Sequence, residues 1–155
     1  MRFLCLLVGL LLVTYSPAHA GHSPPKITFR IHVQTTGDGL SAQEATTIVL
    51  PPHGEQIQVR TLPEVTEHDI VDARATASGV RIILNHIGAV NLNAVTAQNQ
   101  GRILVVLIDG YVVYAPIIDE QINNGQIEIP SKLSAQIVQL LEDQAQKNVQ
   151  QASKT

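Results

Sequence analysis

A chain of 155 residues with a formal net charge of −3 and only scattered basic residues lacks the positive footprint of a nucleic-acid binder. Two Phe, three Tyr and no Trp are too few for a base-stacking or sugar-stacking platform, so Ile, Val, Leu and Ala must build the core. The one cysteine, Cys5, falls in the apolar leader, and neither a disulfide nor a lipid-bearing mature cysteine is expected.

Arg2, the apolar run Phe3 to Val13 and the small residues around Ala18-His19-Ala20 have the order of a secretory signal, with cleavage expected after Ala20. The chain is therefore expected in the periplasm or outside the cell, with no stable membrane anchor once residues 1–20 are removed. About 135 residues remain, the size of one domain, placed at 21–150 with a frayed end at 151–155. Ile27, Phe29, Ile31 and Val33 alternate with Thr28, Arg30, His32 and Gln34, which predicts a strand with one wet face. Gly37-Asp38-Gly39 marks a turn, and Thr46–Leu50 and Gln56–Val59 read as short strands around Pro51-Pro52-His53-Gly54. A free pair of strands is only marginally stable, so everything up to Val65 is expected to join one sheet.

Thr66-Glu67-His68-Asp69 opens a strand that turns at Ser78-Gly79 and returns from Val80. From Gly88 to Gln100 the spacing of Ala89, Leu92 and Val95 predicts a short helix, ended by Gly101 where a left-handed residue is wanted. The stretch ILVVLIDGYVVYAPII, Ile103 to Ile118, is strongly apolar, but a membrane helix needs roughly 20 apolar residues and Asp109-Gly110 interrupts this run. Asp-Gly between β-branched runs is the chemistry of a two-residue hairpin turn. The first arm, Ile103 to Ile108, is apolar at every position and should be covered on both faces. Asn123-Asn124-Gly125 forms a loop and Gln126–Ile129 a strand. Ser131 then caps a helix with Leu133, Ile137, Leu140, Leu141 and Ala145 on one face, and the polar stretch from Gln146 is expected to fray. This order predicts an α+β fold: a single mixed or antiparallel sheet with two helices packed on one face.

Sites for chemistry are sparse. No histidine pair has the His-Glu-x-x-His spacing of a helical zinc site, and no Gly-x-Ser-x-Gly elbow or phosphate-binding Gly-rich loop is present. Glu67-His68-Asp69 is the densest set of metal-ligating types, and behind Thr66 it equally suits turn capping. A freed Gly21-His22 terminus could chelate copper, as many processed termini could. Asp119-Glu120 are adjacent, so on a strand they point to opposite faces rather than forming an acid/base pair. No catalytic, cofactor or metal residue is assigned. The rival reading is a small exported metal-binding protein or hydrolase using His68 with Glu67 or Asp69.

Thr96 to Ile129 also has a family likeness. A helix end with Thr96 and Asn99 precedes Gly101 and Arg102. An apolar strand runs into Asp109-Gly110, Val112-Val113 precede Ala115-Pro116, and Ile122 leads to Gly125-Gln126 and Ile129. This pattern resembles the head subdomain in the first periplasmic domain of SecD, a membrane component of the bacterial protein-export machinery, and the resemblance extends back to about Thr66. The resemblance implies a SecD-head-like fold, no enzymatic activity or cofactor, and a partner that is a protein or an unfolded polypeptide segment. This chain departs from the family in having no transmembrane helices after its leader, and in Tyr111 and Tyr114 where the family commonly has Lys and a small polar residue. Pro130 and the C-terminal helix replace the family's continuation into a base subdomain. The expectation is an exported polypeptide-binding or protein-interaction domain, with Asp109, Gly110, Tyr111, Tyr114 and any exposed sheet edge as its candidate surface. A dedicated docking or inhibitory module for one exported enzyme is the other alternative.

Overall fold

The computed structural model describes residues 27–36 and 44–154. The leader at 1–20, the Gly21-His22 terminus and the Gly37-Asp38-Gly39 turn lie outside the described residues. Among the described residues nine strands and two helices follow in the order β1 (Phe29–Val33), β2 (Ala45–Leu50), β3 (Glu55–Arg60), β4 (Val65–Thr66), β5 (Ile70–Ala75), β6 (Val80–Leu84), α1 (His86–Gln98), β7 (Leu104–Ile108), β8 (Tyr111–Tyr114), β9 (Gln126–Ile129) and α2 (Ala135–Ala152), with a short 3-10 turn at Glu67–Asp69.

The class is α+β, as expected, but the strands do not share one sheet. They pair as β4-β1-β7-β8, β2-β3 and β5-β6-β9, antiparallel throughout. The β2–β3 hairpin touches the four-stranded sheet through a bridge from Val59 to Gln34 instead of extending the ladder. Its apolar residues explain why: Leu50, Ile57 and Val59 form a second small core with Val105 of β7, so the hairpin lies over a face of that sheet. The main core fills the opposite face. There Phe29, Ile31 and Val33 of β1 and Leu104, Val106 and Ile108 of β7 meet Ile82 and Leu84 of β6, Ile127 and Ile129 of β9, Leu92 of α1 and Leu141 of α2.

Alternate side chains of β7 therefore enter two different cores, which is why its sequence is apolar without a period of two. The same second layer alters β1. Arg30 is exposed as expected, yet His32, predicted on a wet face, is 6% exposed. Its Nδ1 lies 2.8 Å from the Arg60 carbonyl oxygen at the end of β3. A carbonyl only accepts, so Nδ1 carries the proton of the neutral ring. Burial lowers the His32 pKa and outweighs the opposing pull of the Arg60 carbonyl.

Asp109 at φ 48° and Gly110 at φ 80° form the predicted two-residue turn, both central residues having positive φ. α1 is capped by Asn85, whose side-chain oxygen accepts from the Gly88 amide at 2.8 Å. Two expectations for the C-terminal helix fail. Its N-cap is Ser134 and not Ser131, and the helix continues to Ala152 through the stretch predicted to fray. The extension is held by Asn148, which donates to the carbonyls of Glu67 at 2.8 Å and Ile70 at 2.7 Å while accepting from Gln144. Polar residues thus dock this end of α2 against the start of β5.

Candidate functional site

Edge position makes β8 distinctive. It ends the four-stranded sheet and, among the described residues, pairs only with β7, leaving the backbone groups of its outer side without a partner strand there. β9 likewise ends the three-stranded sheet. Neither Tyr111-Val112-Val113-Tyr114 nor its turn glycine carries the lysine or proline that often blunts an edge.

The four sequence-predicted residues separate into distinct roles. Asp109 is a clasp: its Oδ1 accepts from the Thr28 amide at 2.8 Å and the Thr28 hydroxyl at 3.3 Å, and its own amide donates to the Thr28 carbonyl. Gly110 supplies the turn. Tyr111 is 77% exposed, whereas Tyr114 is half-buried and packs on the main core. The two tyrosines also line different grooves. Tyr111 borders one of about 610 Å³ between the β2 end of the small hairpin and Leu107, Gly110 and Val112. Tyr114 borders another of about 450 Å³, enclosed by the connection Pro116 to Asn124 and by Gln126, Ile127 and Glu128 of β9.

That connection has no helix or strand, yet it is tied at every stage. The Ile118 carbonyl accepts from Gly101 and the Ile118 amide donates to the Arg102 carbonyl. Gln121 donates to Asn93 of α1 at 2.9 Å. The buried Thr96 hydroxyl accepts from the Ile122 amide at 3.0 Å while donating to the Leu92 carbonyl. Finally the Gly125 carbonyl accepts from Leu84. Gly125 has φ 64° and a Cβ there would lie 2.7 Å from Ala89 Cβ, so both conformation and space require glycine. The groove is therefore a preformed feature. Ile117, 64% exposed, stands on its rim with Ile122, while Ile118 and Ile127 are buried in its floor. Sequence reasoning missed this wall: Ile117 and Ile118 read as the end of a hairpin arm, and no periodicity marks a loop pinned by distant partners.

Carboxylates at the groove differ in state. Glu128 accepts from the hydroxyls of Thr76 at 2.9 Å and Ser78 at 3.0 Å and from Arg81 Nε at 3.2 Å, and these bonds lower its pKa. Asp119 and Glu120 are exposed, with no hydrogen bond or ion pair among the described residues.

In the Glu67-His68-Asp69 set the two carboxylates are spent on structure. Asp69 Oδ2 accepts from the Thr66 amide at 2.8 Å and the Thr66 hydroxyl accepts from His68, a capping box. Glu67 is buried and its Oε2 accepts from the Phe29 amide at 3.3 Å, while the His68 side chain is 65% exposed. Among the described residues no three His, Cys, Asp or Glu side chains converge to hold a metal ion.

Comparison with known proteins adds an independent line. The family model of the SecDF P1 head subdomain matches residues 42–144, two thirds of the chain. A solved structure described as SecDF in a super-membrane-facing form is 22% identical with a TM-score of 0.55, covering 74% of this chain and 18% of that one. A second, of "a membrane component SecDF that enhances protein export", has the same identity and TM-score and covers 76% of this chain and 61% of that one. The chain thus spans less than two thirds of either structure's length, and at this identity the likeness is one of fold. A search of the curated proteins gives no match. The family match is wider than the motif run of Thr96 to Ile129: it takes in the β2–β3 hairpin and passes Pro130 into α2, where a departure from the family was expected.

Proposed function

The chain belongs to the SecDF P1 head subdomain family, and from that premise we propose that it is a non-enzymatic periplasmic domain that binds an extended polypeptide segment in the service of protein export. One observation carries the reading: an uncharged edge strand, β8, ends at Tyr114 on a preformed groove whose far wall is a second sheet edge, β9. An extended segment can add to β8 through backbone hydrogen bonds, which are indifferent to sequence, while its alternate side chains reach the aliphatic rim at Ile117 and Ile122. That combination suits many exported chains. The matched structure of SecDF is of a component that enhances protein export, and a segment-binding edge is the part of such a task this fold can supply.

Within this reading Tyr114 and the groove make the contact, Tyr111 is an outlying amphipathic anchor, and Asp109 with Gly110 hold the hairpin in place. The test is a photoreactive residue at position 114 in intact cells, with a control at Ile87 on α1, followed by mass spectrometry of the trapped chains. Several unrelated exported chains, or export membrane proteins, trapped at 114 and not at 87 would support the proposal. Equal trapping at both positions, or none at 114, would sink it, and one dominant folded partner would make the domain a dedicated docking module.

A further inference from the structure

The groove's own charges narrow the class of segment it takes. Among the described residues its lining contains Asp119, Glu120 and Glu128 and no Lys, Arg or His. Glu128 is already matched by Arg81 and two hydroxyls, so the unmatched charge is that of Asp119 and Glu120. The groove beside Tyr111, at the other end of β8, is lined by no charged side chain among the described residues. Arg102, whose backbone pairs with Ile118, lines a different depression together with Arg60 and Glu64. The negative charge is thus a property of one groove and not of the hairpin as a whole.

We propose that the groove between β8 and β9 selects extended segments in which aliphatic side chains are interspersed with Lys or Arg. This rests on the polypeptide-binding reading above and specifies its substrate class. The β9 edge along one side, with the end of β8 at Tyr114 opposite, calls for an extended backbone, and Ile117 and Ile122 for aliphatic side chains. A neutral or acidic segment laid there would take water from two carboxylates and return no partner to them, whereas a cationic one supplies the partner. Because Asp119 and Glu120 stay near solvent, their contribution is modest and screened by salt.

The experiment is fluorescence anisotropy on the full chain with two short labelled peptides of alternating Val and Thr, one carrying two Lys and the other two Glu in the same places. At low salt the Lys peptide should bind about threefold to tenfold more tightly, the range two exposed ion pairs provide. The preference should shrink at high salt and vanish in the double variant Asp119→Asn, Glu120→Gln, whose unfolding midpoint should be unchanged because both residues are exposed. Equal binding of the two peptides would overturn the charge selection and leave the polypeptide-binding reading intact. Binding of neither would remove that reading too, and a Lys preference surviving in the double variant would overturn the assignment to this groove.

Discussion

The two arms of one hairpin, LVVLI in β7 and YVVY in β8, share residue types and differ in fate. Val105 and Val106 are fully buried, each in a different core, whereas Val112 and Val113 are half-buried. β7 has a strand on each side and a packed layer on each face, while β8 has one strand neighbour and opens onto two grooves. Apolar composition thus permits burial, and only the neighbours an element acquires realise it. A strand built like core can thus end a sheet as an open edge.

The largest effect that would sharpen this contrast is truncation in the buried arm. Ile108→Ala should cost about 2–5 kcal/mol in urea unfolding, while Val113→Ala on β8 should cost about 1 kcal/mol or less. Equal costs would show β8 to be as much core as its partner. Next in size, Thr96→Val should cost about 1–3 kcal/mol by leaving the Ile122 amide without its acceptor. Hydrogen exchange at Ile122 should quicken while β7 amides stay protected, and unchanged exchange would show that the groove wall is held by other contacts.

A smaller effect depends on pH. His32 is neutral in the fold with a lowered pKa, so below its ordinary value of about 6.5 the unfolded chain takes up the proton more readily than the native one. Stability from this site should be full above that pH and decline as pH falls toward 5, before most carboxylates titrate. A His32→Phe variant, whatever its baseline stability, should show a shallower decline across this window, and an identical slope would assign the dependence elsewhere. The smallest effect on stability is at Tyr111: Tyr111→Ala should change unfolding by no more than about 0.5 kcal/mol. Tyr114→Ala, which removes packing on the main core, should cost more. The reverse order would mean that the hairpin tip, and not its base, is the anchored end.

Much of the fold was legible in the sequence because its signals are local. Alternation marked β1, Asp109-Gly110 dictated the turn, the continuous apolar run announced a strand covered twice, and spacing placed α1 within a few residues. The motif residues from Thr96 to Gly125 could likewise be matched to a family, and the structure explains their place in it: Thr96 and Gly101 tie α1 and the turn after it to the connection that follows β8, Asn99 closes the end of α1, and Gly125 joins that connection to β6. They report the scaffold and not a ligand, so they reveal a fold more readily than a task. What only the tertiary structure decided was the division into three sheets, the burial of His32 beneath β3, the docking of the polar end of α2 and the groove between two sheet edges. Each depends on partners far apart in the chain, as where Asn148 meets the Glu67 carbonyl across 81 residues. Periodicity and turn chemistry act over a few residues, whereas the layer that covers a strand, or the charges left unmatched in a groove, are properties of surfaces that exist only once the chain has folded.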